Sequence, residues 1–147
     1  LSGIVPSGNI IGTANEASRF FQCMLNGGEL DGVRVFQRDT VLRAIADQTN
    51  LEFDLTLLLP VRYGTGFMLG GEYYSLYGKG SPRAFGHMGF TNTVAYADPE
   101  RAISVCLMTS GKPFIHKGLV SWFNIMRTIA RCCPRDVTFD EMFIPCS

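Results

Sequence analysis

Apolar positions at Ala17, Phe20, Phe21, Met24 and Leu25 recur at the spacing of one helix face. Thr13-Ala14-Asn15-Glu16 stands just before them and fits a capping box. In that motif the Thr hydroxyl accepts from the Glu16 N–H and the Glu side chain reaches back to the cap. Asn26-Gly27-Gly28 stops this helix, with glycine free to take the left-handed C-terminal position. A second helix is predicted from about Asp39 to Gln48, with Val41, Leu42 and Ile45 facing inward. Leu119, Trp122, Phe123, Met126, Ile129 and Ala130 mark a third amphipathic helix, running to about Cys132 and closed by Pro134.

Between the second and third helices the period changes. Phe85 to Thr109 reads as two antiparallel strands joined at Asp98-Pro99-Glu100-Arg101, where Asp and Pro suit a type I turn. Tyr63 to Gly71 reads as a further strand, and Tyr73 to Tyr77 either continues it or pairs back as a short arm. Leu51 to Pro60 is open: alternation at Leu51, Phe53 and Leu55 suits an extended segment, while Leu57-Leu58-Leu59 suits burial in either form. Leu1 to Gly12 and Gly78 to Arg83 are loops, and Gly32 to Phe36 is a short extended link. The tail after Asp136 mixes acidic and apolar residues that could cover the body. The order helix, helix, strand, strand, strand, helix predicts an α+β class, an antiparallel sheet with flanking helices, in a single domain over residues 1–147.

The first strand of the central hairpin carries Gly86-His87-Met88-Gly89. Glycine weakens a strand unless something approaches its backbone closely. Either a ligand or a second chain segment would account for two glycines around a histidine. A bulge with a hydrogen-bonded histidine is the plainer reading of the same residues.

Charge narrows the partners. Thirteen Lys and Arg balance thirteen Asp and Glu, so nothing electrostatic points to nucleic acid or to an anionic membrane. No apolar run approaches the roughly 20 residues of a membrane span. Five cysteines are an odd count without CxxC spacing, which argues against a disulfide scaffold and leans towards a reducing compartment. Cys23 and Cys106 read as small buried hydrophobes. Two histidines with no His-x-x-x-His spacing predict no metal site, and no cofactor motif occurs. Gly64-Thr65-Gly66, for instance, is not followed by a helix pattern and is no dinucleotide fingerprint.

Covalent catalysis needs an activated nucleophile. A Ser-x-x-Lys would bring an amine beside a hydroxyl across one helical turn, but none occurs, nor does Gly-x-Ser-x-Gly. Ser110-Gly111-Lys112 has the wrong spacing, and Tyr73-Tyr74-Ser75 reads as packing in or beside a strand. His116 has no evident partner and reads as a surface residue. The residues therefore offer a binding strand without a complete catalytic set.

Four stretches, in order, resemble the serine β-lactamase-like family of class C β-lactamases, penicillin-binding-protein-like esterases and peptidases. Pro6-Ser7-Gly8-Asn9 through Thr13-Ala14-Asn15-Glu16-Ala17-Ser18-Arg19-Phe20 and on to Leu25-Asn26-Gly27-Gly28 resembles the family's P-x-G-G, T-A-x-D-x-A-R-F and L-N-G-G run. Val33-Arg34-Val35-Phe36 with Thr40-Val41-Leu42 resembles the helix that follows, and Tyr63-Gly64-Thr65-Gly66-Phe67 resembles the Y-G-x-G-F/W strand. Gly86-His87-Met88-Gly89 resembles the G-H-x-G box that many non-lactamase members carry in place of Lys-Thr-Gly, and Asp98-Pro99-Glu100 the turn beyond it. Asn9 and the Asn15-Glu16 pair depart from the pattern.

The resemblance implies a partial β-lactamase/transpeptidase-like fold. It makes this chain, which begins at Leu1 rather than Met, the C-terminal part of a domain whose Ser-x-x-Lys and Tyr-x-Asn/Ser motifs lie upstream. It implies that His87 lines the substrate pocket, that Gly89 lets substrate lie against the strand, and that the Phe90 N–H is one oxyanion-hole donor. The substrate would be a small-molecule or peptide ester or amide. Alone, the chain would be catalytically inactive and its sheet short of strands, leaving an edge for an upstream segment, another polypeptide or a second copy.

Overall fold

The computed structural model describes residues 11–89, 93–110 and 118–136. The chain forms α1 (Ala14–Leu25), β1 (Glu29–Leu30), β2 (Val33–Arg34), α2 (Arg38–Ile45), β3 (Glu52–Asp54), β4 (Leu59–Tyr63), β5 (Met68–Leu69), β6 (Phe85–Met88), β7 (Val94–Asp98), β8 (Ile103–Leu107) and α3 (Leu119–Cys132). Strands β3 to β8 make one six-stranded sheet in chain order, every pair antiparallel.

The capping box forms as its residues dictate. Thr13 Oγ1 accepts from the Glu16 N–H at 3.2 Å, and Glu16 Oε2 accepts from the Thr13 N–H at 2.7 Å. Gly27 and Gly28 take positive φ of 65° and 96° after the helix. Of the periodic apolar set, Phe21, Met24 and Leu25 are buried, joined by Cys23. Helix α3 spans the predicted segment. Helix α2 starts one residue early and ends three residues short of Gln48. Its C-cap Ala46 is already extended, and Asp47 bridges to Gly64.

Three strand expectations are corrected. Phe85 to Thr109 holds three strands, because β6 ends at Met88 and β7 begins at Val94. The turn foreseen at Asp98 joins β7 to β8 as a 3₁₀ turn over Pro99–Arg101, with the Asp98 carboxylate accepting from the Glu100 N–H at 3.1 Å. Tyr63 to Gly71 is likewise interrupted: the Gly66 N–H donates to Ala44 O at 2.9 Å, which draws the chain off the sheet onto α2 before β5. Tyr73 to Tyr77 is loop, neither a strand nor a hairpin arm. Leu51 to Pro60 proves to be the β3–β4 hairpin, with Leu51, Phe53 and Leu55 exposed and Leu57 buried. Gly32 to Phe36 contains β2, which pairs with β1. The expectations for residues 1–10, for His116 and for the tail beyond Asp136 lie outside the described residues.

Successive strand residues point to opposite faces, and here each face has its own core. Val61, Met68, Met88, Val94 and Tyr96 pack with Trp122 and Met126 of α3. Leu69, Phe85 and Ala97 pack with Phe21, Met24 and Leu25 of α1 and Val41 of α2. The result is helix, sheet, helix: the α+β arrangement that the order of elements implies. Trp122 Nε1 donates to Leu76 O at 3.3 Å, tying the loop before β6 to α3.

A buried ion pair holds the β7–β8 turn. The Arg101 guanidinium donates to Asp98 Oδ2 at 2.8 Å and to Gly80 O at 2.8 Å, with side-chain exposures of 6% and 1% for the two charged residues. Burial of a pair this deep is sustained by the additional hydrogen bonds it makes.

Candidate functional site

Strand β6 reads buried, buried, exposed, buried from Phe85 to Met88. Phe85 and Met88 belong to opposite cores. His87 shares the α1 face with Phe85 by alternation, yet it is exposed. Its neighbour across β7 is Ala95, a small residue that leaves the imidazole room.

The β5–β6 ladder is short. Met68 lies opposite Gly86 and Leu69 opposite Phe85, and β5 begins at Met68. The turn over Gly64 to Phe67, closed by a Gly64 N–H to Phe67 O bond of 2.8 Å, carries the chain away. So the β5-side edge of β6 is covered over its first half and loses its strand partner at His87.

The two glycines of the box have separate causes. A Cβ on Gly86 would stand 2.3 Å from Ala95 O and 2.4 Å from Tyr96 Cβ. Tyr96, the register partner of Gly86, stacks on Tyr77 at a centroid distance of 4.8 Å. A Cβ on Gly89 would stand 2.5 Å from Thr93 Oγ1, and the Gly89 N–H donates to Thr93 O at 2.8 Å. In both cases the close approach comes from the neighbouring strand or the connection to it, one of the two causes the sequence left open. Of the predicted site residues, His87 and Gly89 are thus adjacent at the end of β6, while Phe90 lies outside the described residues.

Sequence reasoning missed the aromatic support beside this edge. Phe67 packs on Phe85 at 5.5 Å and on Phe21 at 5.8 Å between centroids. The signal was present in the repeated Phe of the α1, Y-G-x-G-F and Phe85 stretches, but only the strand register brings them together.

No three His, Cys, Asp or Glu side chains converge as metal ligands among the described residues. A cleft of about 230 Å³ opens at the other end of β6, lined by Ile45, Asp47, Arg62, Ala84 and Pro99 among others. Its Arg62 is already held by Asp47 at 2.6 Å and by Gly70 O at 2.9 Å. That cleft takes in neither His87 nor Gly89, so the exposed end of β6 is the better candidate on chemical grounds. Cys23 and Cys106 are free thiols, one buried and one half-buried, and burial pushes both thiols up. No described helix is long and apolar enough to cross a membrane.

The chain is 26% identical over 135 residues to the esterase/β-lactamase LipL of Mycobacterium tuberculosis, an alignment covering 88% of this chain and 30% of that protein. It is similar to the crystal structure of a penicillin-binding protein homologue from Caulobacter crescentus, with 32% identity and a TM-score of 0.57 over 65% of this chain and 25% of that one. A family VIII carboxylesterase shares the fold at 20% identity and a TM-score of 0.57, over 75% of this chain and 30% of that one. The chain therefore spans less than a third of the length of each of these relatives. The family described as Beta-lactamase matches residues 2–128, and with that match over most of its length, on a fold shared with penicillin-binding proteins and carboxylesterases, this chain belongs to the β-lactamase family.

Proposed function

We propose that this chain is the C-terminal part of a β-lactamase-like serine hydrolase that transfers the acyl group of an ester, amide or peptide. The observation that carries the reading is an exposed histidine at the point where β6 loses its partner strand. A strand edge offers backbone N–H and C=O groups to an extended ligand, and an imidazole beside it can donate, accept or carry charge. His87 would meet the substrate's carboxylate or leaving group, Gly89 would end the strand beside it with its backbone held by Thr93, and the Phe90 N–H would help hold the oxyanion. Lys-Thr-Gly is absent, so a lactam is not specifically indicated. The relatives named an esterase/β-lactamase and a carboxylesterase support an ester among the substrates.

The nucleophile belongs to the rest of the protein in this reading, since no Ser-x-x-Lys occurs here. The isolated chain then binds without turning over. Losing a single oxyanion donor typically costs about 10²–10³ in rate, and losing the serine removes the acyl-enzyme altogether. In the complete protein, His87→Ala is expected to lower kcat/KM on simple esters by about 10- to 100-fold, the worth of a hydrogen bond to a charged group. Labelling of the serine by a fluorophosphonate should slow with it. Unchanged turnover and unchanged labelling would mean that His87 has no such role.

A second reading has its own support. Among the described residues β8 is an edge strand, and it carries neither charge nor proline, two of the usual protections against strand pairing. A non-catalytic binding or self-associating protein would use that edge. A stable, well-folded monomer in analytical ultracentrifugation counts against it.

A further inference from the structure

The β5–β6 ladder ends at Met68 and Gly86, and Phe67 and His87 are the next residues on either side of that end. Both side chains lie on the α1 face: Phe67 because its ring packs on Phe21 and Phe85, His87 because it alternates with Phe85 across Gly86. On its β7 side His87 pairs with Ala95. The exposed imidazole thus shares a face with Phe85, the residue on which the Phe67 ring packs.

The Phe67 ring is held in place. Gly66 is bound to Ala44 O, Gly64 is bound to Phe67 O, and two aromatic neighbours fix the ring edge. Phe67 is also only half-buried, so part of this apolar surface remains open.

We propose that Phe67 is a specificity-determining residue: its open face forms the apolar wall of the site, binding an aryl or alkyl substituent of the ester or amide whose polar end meets His87. This rests on the hydrolase reading above. It goes further by naming the substrate class, in which a short apolar group lies within about two bonds of the reacting carbonyl or leaving oxygen.

The test uses the complete protein carrying this segment and two pairs of esters, phenylacetyl against acetyl on the acyl side and benzyl against methyl on the alcohol side. Covering one face of a phenyl group is worth about ten-fold in binding. Phe67→Ala should lower the phenyl preference, the ratio of kcat/KM within a pair, about ten-fold in one pair. Phe67→Leu, which keeps the packing against Phe21 and Phe85, should retain most of that preference. A uniform loss on all four esters, or unchanged preference in both pairs, overturns the proposal. If the wild-type protein neither hydrolyses esters nor takes up a fluorophosphonate, the hydrolase reading fails by itself. Binding of phenylacetamide against acetamide, followed by NMR at the His87 ring protons, then still decides whether Phe67 is an apolar wall. A wild-type phenyl preference that Phe67→Ala abolishes supports it, and the absence of such a preference overturns it.

Discussion

Gly86→Ala isolates the packing on which the candidate strand depends. The added methyl would lie 2.3 Å from Ala95 O, 2.4 Å from Tyr96 Cβ and 2.6 Å from Tyr96 Cα. These are backbone and near-backbone atoms of the adjacent strand, so no side-chain rotation relieves the overlap. Ordinary contact needs more than an ångström of extra separation, and β7 cannot move that far without breaking its pairing to β6 or the Tyr77–Tyr96 stack. Overpacking a tight interior costs about 1–3 kcal/mol and occasionally more. With backbone as the obstacle we expect about 3 kcal/mol, a large share of the roughly 5–15 kcal/mol typical of whole domains. At a urea m-value of about 2 kcal/mol/M, the midpoint falls by about 1.5 M with m unchanged. Gly66→Ala is the control: its Cβ meets nothing closer than Ala44 at 3.6 Å, and its φ is not positive. It should shift stability by less than about 1 kcal/mol, in either direction. A Gly86→Ala midpoint within about 0.3 M of wild type, or an equal loss at Gly66, refutes the packing argument.

Two further outcomes follow from the buried polar groups. Asp98→Ala leaves the Arg101 guanidinium buried without its counter-charge and should cost about 3–5 kcal/mol, whereas Asp98→Ala combined with Arg101→Met should recover much of it; urea melts of the single and double variants check this, and a double variant worse than the single would refute it. Alkaline pH should destabilise the fold. Burial, then the bond to Asp54, pushes Tyr63 up to about 12, and burial pushes Tyr77 and Tyr96 up as well. The folded chain therefore holds protons that the unfolded chain releases near pH 10. This stability is complete below that pH and is lost as pH rises through 10 towards 12. Urea midpoints at pH 9, 10 and 11 should fall in sequence, with a smaller fall in Tyr63→Phe.

The helices were legible because their signals are local. Thr13 and Glu16 carry their own cap, Gly27 and Gly28 their own stop, and the apolar stripe of α3 needs only its period. The turn at Asp98-Pro99 was legible for the same reason. The strands were not, because their ends are set by distant residues. Nothing within Tyr63 to Gly71 says that Ala44 will capture Gly66 and split the strand. The alternation of Leu51, Phe53 and Leu55 announces an extended segment with one apolar face, but in the fold that face is exposed. At the site, the Gly-His-x-Gly cluster marked the right strand. The agents that approach its glycines, Tyr96 and Thr93, and the Phe67 ring packed on Phe85, came only with the fold.

The sheet runs β3 to β8 in strict chain order. Among the described residues each strand pairs with the next in the chain, while α1 closes over β7 and β8 from far upstream. Local pairing of this kind lowers contact order, and low contact order goes with fast folding. The sheet can zip from one hairpin to the next, so the strand bearing His87 acquires both its neighbours early. Errors in such an assembly are local slips of register rather than misthreaded topologies, and the close fit of the Tyr96 Cα and Cβ against Gly86 favours one register at the strand where the site is built.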